Sequence, residues 1–114
     1  MVRKIIAYKS YFITFYKSQE DKVQEKMEFV LDMIRFEGRV PKKFLKALEN
    51  TDGIYEVRVI TTFKSIRILG FFDKGNLVVL LNCFVKKSQK TPRKEIRLAE
   101  KLKREYLSEK NNIK

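Results

Sequence analysis

The chain has 114 residues, of which 44% are hydrophobic, and 26 Lys and Arg against 14 Asp and Glu give it a formal charge of +12. That length suits one domain spanning residues 1–114 around one core, and the apolar content excludes intrinsic disorder. The longest strictly apolar run, Leu77–Leu81, falls far short of the ~20 residues of a membrane span.

In chain order, Ile5-Ile6-Ala7 is broken by Tyr8, Lys9 and Ser10 too soon for a secretory signal. From Lys9 to Tyr16, the aromatic and β-branched residues Tyr11, Phe12, Ile13, Thr14 and Phe15 predict a strand. Ser18 followed by Gln19-Glu20-Asp21 reads as a helix N-cap with acidic residues in the first turn. Val23, Met27, Val30, Leu31 and Ile34 then form one apolar stripe at helical spacing, with Gly38 where a left-handed cap belongs. Pro41 suits the first turn of a second, shorter helix carrying Phe44, Leu45 and Leu48 on one side, and Asn50-Thr51-Asp52-Gly53 is its exit turn. Three strand-like runs follow, Ile54–Ile60, Ser65–Phe72 and Asn76–Val85, with the spacing of an antiparallel meander. The last is apolar on both faces, as an interior strand would be. Thr91-Pro92 offers an N-cap and first-turn proline for a final helix with Ile96, Ala99, Leu102 and Tyr106 on its apolar side, and residues 109–114 are expected to fray.

The chemistry available is narrow. With no His, the commonest general base and metal ligand are missing, and the single Cys83 forms neither a disulfide framework nor a multi-cysteine zinc site. No metal site or cofactor is expected, and a reducing cytoplasm is the expected location. Catalysis would have to come from Lys, Arg, Tyr or carboxylates. The charge excess selects polyanionic partners, and it peaks between residues 86 and 104, which carry +7.

Hairpin registers place some of this charge. A four-residue loop at 61–64 sets Arg58 opposite Arg67, and a two-residue turn at Lys74-Gly75 would set Arg67 opposite Asn82. Tyr55, Val57, Val59, Ile66, Ile68, Val79, Leu81 and Cys83 would then share the other face, beneath the first two helices. Two arginines facing each other across strands repel. A phosphate-binding site would justify the pairing, because guanidinium forks bind phosphate oxygens in pairs. A structural reading is also open, in which Glu56, two residues from Arg58 on the same side, eases the repulsion by an ion pair. Lys86-Lys87-Ser88-Gln89-Lys90-Thr91-Pro92-Arg93-Lys94 continues from the last strand and adds cations beside this row.

The element order and the wording of the second half resemble the RelE/ParE toxin superfamily, in particular its phage-derived, HigB-like branch. The resemblance runs from about Tyr11 to Tyr106. Its most specific stretch is Phe84-Val85-Lys86-Lys87-Ser88-Gln89-Lys90-Thr91-Pro92, supported by Val40-Pro41-x-x-Phe44, Gly53-Ile54-Tyr55-Glu56-Val57-Arg58 and Ile66-Arg67-Ile68. The resemblance implies an α+β RelE-like fold with an antiparallel sheet of about four strands in the order β-α-α-β-β-β-α, two N-terminal helices on one face and a C-terminal helix. It also implies a toxin of a type II toxin–antitoxin pair, a metal-independent mRNA endonuclease that acts at the ribosome and inhibits translation. Its partners would be mRNA, the ribosome and a cognate antitoxin of the helix-turn-helix kind.

Carried over residue by residue, the basic strand positions of such toxins fall on Arg58 and Arg67, and the position after the last strand falls on Lys86 or Lys87. The His of some HigB toxins and the Tyr at the start of the last helix in RelE have no counterpart. Arg58 and Arg67 would clamp the non-bridging oxygens, and Lys86 or Lys87 would protonate or neutralise the leaving group. The base would be Glu56 or a lysine whose pKa is lowered by its cationic neighbours. Asn82, Lys90, Arg93, Lys94 and Arg97 are expected RNA contacts, the cations through the backbone. The competing reading is a ParE-like gyrase poison, or a phage-derived regulator that keeps the fold without cleavage.

Overall fold

The computed structural model describes residues 1–112. In chain order these form β1 (Lys4–Ala7), α1 (Tyr11–Lys17), α2 (Asp21–Phe36), β2 (Leu45–Ala47), β3 (Tyr55–Ile60), β4 (Ser65–Asp73), β5 (Leu77–Val85) and α3 (Arg93–Asn112). The five strands lie in the order β1-β5-β4-β3-β2, with β1 parallel to β5 and every other pairing antiparallel. The α+β class, the meander and the three helices agree with expectation, with one strand more than the four or so foreseen.

Two elements of the first half differ. The aromatic run expected as a strand is α1, and the strand lies upstream as β1. Lys9, at φ 60°, turns the chain out of β1 just after the Tyr8 N–H donates to the Leu80 carbonyl at 2.9 Å. Phe12, Phe15 and Tyr16 then pack inward at helical spacing while Tyr11 and Ile13 stay exposed, so tertiary packing overrides strand propensity. The helix expected after Pro41 is a single turn, in which the N–H groups of Phe44 and Leu45 both donate to the Pro41 carbonyl, followed by β2. β2 covers the edge of β3 by pairing Leu45, Lys46 and Ala47 with Val57, Glu56 and Tyr55.

The caps also differ. Ser18 closes α1 by donating to the Phe15 carbonyl, and Glu20 stands at the N-cap of α2. At the other end of α2, the Arg3 guanidinium reaches the carbonyls of Ile34, Glu37 and Gly38 at 2.8–3.1 Å, so a cation rather than a left-handed glycine satisfies that terminus.

Two apolar layers flank the sheet. The expected stripe of α2, all of it buried, packs with Phe12 of α1 against Val57, Val59, Ile66, Ile68, Val78 and Leu80. Across the sheet, Ala99 and Leu102 of α3 cover Ile54, Leu69, Phe71, Val79 and Leu81. Val79 and Leu81 thus lie on the opposite face from the one expected. The β4–β5 turn uses three residues, Lys74–Asn76, so Asp73 pairs with Leu77, and a one-residue slip inverts every side chain. A bulge between Ile68 and Gly70 shifts the register once more, returning Cys83 to its expected side and setting Arg67 opposite Phe84 instead of Asn82.

α3 does not fray at residue 109. It continues to Asn112, and Glu109 accepts from the Tyr8 hydroxyl while Lys110 donates to Asp73 at 2.7 Å. The last two positions of the expected fray, 113 and 114, lie outside the described residues. No helix among the described residues is long and apolar enough to cross a membrane.

Candidate functional site

The hairpin β3–β4 has the expected register, Arg58 opposite Arg67. Directly opposite residues project to one face, here the α3 side, and both guanidinium groups converge on one oxygen of Glu56. Arg58 Nε donates to Glu56 Oε1 at 2.9 Å, and Arg67 Nε lies 3.3 Å from the same atom. The other oxygen, Oε2, accepts a hydrogen bond from the Thr91 hydroxyl. Glu56 is 1% exposed, so this carboxylate is a closed hub.

The two arginines differ in access. Arg67 is 6% exposed and is held further by Ser65 Oγ at 2.9 Å and the Ile66 carbonyl at 3.1 Å. It acts from inside the wall of the site. The Arg58 side chain keeps 27% of its surface and contacts Glu56 through Nε. Its outer guanidinium edge is the part that can meet a ligand.

Lys86 leaves β5 beside them, its N–H donating to the Ser65 carbonyl at 2.7 Å. Partial burial pushes its ammonium pKa down, and Arg67, Arg58 and Lys46 push the same way, outweighing the pull of Glu56. Burial would raise the Glu56 carboxyl, but the hydrogen bonds from Thr91 and Arg58 and the charges of Arg67 and Lys86 hold it below its usual value. Its proton affinity is therefore lowered, and both of its oxygens are engaged by groups of the protein itself.

The other expected contacts separate. Lys87 and Lys90 lie on the segment between β5 and α3, and Arg93, Lys94 and Arg97 lie on the first turns of α3. Arg93 and Arg97 line a cleft with Glu49, Asn50, Thr51 and Glu100, along the β2–β3 connection. Asn82 is no RNA contact: it is 2% exposed, and its amide donates to the carbonyl and carboxylate of Glu95, fixing the start of α3 to β5.

Three participants escaped the sequence reading. Lys46 faces Glu56 across β2–β3, hidden there by the helix expected over that segment. Ser65 holds Arg67 in place. Thr91, read as the cap of α3, instead turns its hydroxyl to Glu56, while the N–H groups of Glu95 and Ile96 donate to the Pro92 carbonyl. Its place inside the Lys90-Thr91-Pro92 wording was the available signal. Cys83 takes no part, because burial raises its thiol pKa far beyond the reactive range. Among the described residues, no cluster of three or more His, Cys, Asp or Glu is placed to hold a metal ion.

The site thus gathers Lys46, Arg58, Arg67 and Lys86 around the carboxylate of Glu56, with Lys87 following, a local excess of positive charge. Among solved structures, the fold is similar to that in an archaeal RelE–RelB complex from Pyrococcus horikoshii OT3. The TM-score is 0.56 at 16% identity, over 75% of this chain and 96% of that one. No curated protein matches the sequence. The model of the phage-derived Gp49-like proteins matches residues 14–104, a span that takes in every residue of the cation cluster, and the chain belongs to that family.

Proposed function

We propose that this chain is the toxin of a type II toxin–antitoxin pair and that it cleaves messenger RNA at the ribosome. The carrying observation is the cation cluster at the end of the sheet, in which Glu56 and Thr91 position an outward Arg58 and a Lys86 of lowered pKa. The RelE-like fold and the RelB partner in the similar archaeal complex support a small antitoxin as the second partner.

In this reading neutral Lys86 takes the proton of the ribose 2′-hydroxyl. The 2′-oxygen attacks phosphorus, the bond to the 5′-oxygen breaks, and Lys87 gives that oxygen its proton, leaving a 2′,3′-cyclic phosphate and a 5′-hydroxyl. Arg58 meets the non-bridging oxygens, where electrostatic stabilisation is the largest contribution to such a transfer. Arg67 lends its charge from within the wall and keeps Glu56 ionised. Lys90, Lys94, Arg93 and Arg97 hold backbone phosphates of messenger or ribosomal RNA without reading bases.

One observation favours the second reading, a phage-derived protein that keeps the fold without cutting or acts on gyrase: Arg67 is nearly buried in an internal ion pair. Induced expression followed by mapping of RNA ends separates the two. New 5′-hydroxyl ends in translated messages that vanish in Arg58→Ala and Lys86→Ala support the nuclease. Growth arrest with loss of supercoiling and no new ends assigns the gyrase reading. Arg67→Ala is unsuitable for this test because that guanidinium also holds the fold.

A further inference from the structure

The hairpin that carries Arg58 and Arg67 ends in a loop, Thr61–Lys64, tied at both ends. The Thr61 N–H donates to the Lys64 carbonyl at 2.9 Å, the Lys64 N–H donates back to Thr61 Oγ1 at 3.0 Å, and Lys64 Nζ is anchored on Gln19 at 2.8 Å. Within this braced loop Phe63 stands 93% exposed, the most exposed large hydrophobic residue among the described residues. Ile60, on the same face as Glu56 and Arg58 by strand alternation, is 57% exposed beside it. A single exposed apolar residue is ordinary. An aromatic ring carried by a pinned loop beside a cation cluster is a different object, because the cost of ordering the backbone beneath it is already met.

Ser65, whose carbonyl accepts the Lys86 N–H, is two residues from Phe63, which puts their Cα atoms at most about 7 Å apart. A nucleotide neighbouring one held by Arg58 and Lys86 therefore falls within reach of the ring. Proteins that hold single-stranded nucleic acid pair a positive groove with aromatic faces on which bases stack.

We infer that Phe63, with Ile60 beside it, is a stacking platform for the base adjacent to the bound phosphate of single-stranded RNA. This rests on the proposed RNA-cleaving reading and assigns the hairpin tip to substrate positioning, not to chemistry. Stacking on a plain phenyl ring accepts any base, so the platform adds affinity and register without sequence preference.

The test uses a 2′-O-methyl oligonucleotide, which lacks the attacking hydroxyl, and a copy carrying one abasic position in each register. Anisotropy titration of Phe63→Ala should show about 10-fold weaker binding than wild type on the intact strand. On the abasic copy of the matching register, the two proteins should bind alike. The chain contains no Trp, so Phe63→Trp adds a unique fluorophore, and its emission should be quenched saturably with the affinity seen by anisotropy. Equal binding by wild type and Phe63→Ala, with no quenching of the indole emission in Phe63→Trp, overturns the platform and leaves the RNA reading standing. Loss of the co-expressed antitoxin from Phe63→Ala with unchanged RNA affinity overturns it in favour of a protein contact. No binding of any strand by wild type overturns the platform as a site for single-stranded RNA, while the RNA reading at the ribosome is decided by the mapping of RNA ends.

Discussion

Replacing Glu56 by Gln keeps the shape of the hub and removes its charge. The carboxylate is 1% exposed, and one of its two guanidinium partners, Arg67, is 6% exposed, so that charge would be left buried without a counter-ion. Breaking a buried pair from one side costs about 3–5 kcal/mol, whereas the contact with the 27% exposed Arg58 adds at most ~1 kcal/mol. The amide can still accept from Thr91, which puts the expected loss near the lower figure, ~3 kcal/mol, or a melting temperature lower by about 12 °C for a chain of this size. Urea unfolding at pH 7 measures it, with an unchanged m-value showing that the compactness of the end states is preserved. The pH dependence carries the sign. The folded pKa of Glu56 lies below its ordinary 4.5, so its contribution is complete above that value and disappears as pH falls through the folded pKa. The gap between wild type and Glu56→Gln should therefore be full at neutral pH and close on acidification. A loss below about 1 kcal/mol, or a gap that widens in acid, would refute the buried hub.

Other consequences are equally direct. Arg58→Ala should leave urea stability within about 1 kcal/mol of wild type and reduce RNA cleavage by about 10²–10³-fold, read by primer extension on a translated message. If Lys86 is the base, single-turnover cleavage should rise with pH towards a midpoint below the ordinary lysine value of 10.5, and Lys86→Ala should remove that limb. Gly70→Ala should destabilise by about 3 kcal/mol in the same urea assay, because a Cβ there would stand 2.5 Å from the Val79 carbonyl oxygen on the neighbouring strand. Asp73→Ala should cost about 2 kcal/mol by removing acceptors for Lys110 at 2.7 Å and Tyr106 at 3.1 Å, and hydrogen exchange should quicken at the end of α3.

The α2 helix and the β3–β4 hairpin were legible in the sequence because their signals are local and agree. The stripe of α2 states its burial directly, and the length of the 61–64 loop alone sets Arg58 against Arg67. The misreadings arose where a segment's state depends on a distant partner. The β-prone run before residue 16 becomes a helix because β5 is already occupied by β1 upstream of it. Leu45-Lys46-Ala47 becomes a strand because β3 has an open edge to fill. The bulge near Gly70, whose only sequence mark is that glycine, combines with the three-residue turn to set Phe84 opposite Arg67. Site residues chosen by alternation beyond a bulge inherit its error, whereas Arg58 and Arg67, set by a single loop, do not.

Reading Glu56 only as a means of easing repulsion between the arginines, or only as a catalytic base, misses how the two needs meet. Two guanidinium groups held side by side for a phosphate would push the hairpin apart in the absence of substrate. A buried carboxylate beneath them removes that strain, and placing it under Arg67 rather than at the surface leaves Arg58 partly free. Thr91 takes the remaining oxygen, which ties the Lys86–Lys90 segment to the same hub and fixes where its ammonium groups begin. The electrostatics that stabilise the empty fold are thus the ones that aim the site. A substitution meant to silence Arg67 or Glu56 must then unsettle the protein as well, whereas the outward positions, Arg58, Lys86 and Lys87, allow chemistry and folding to be measured apart.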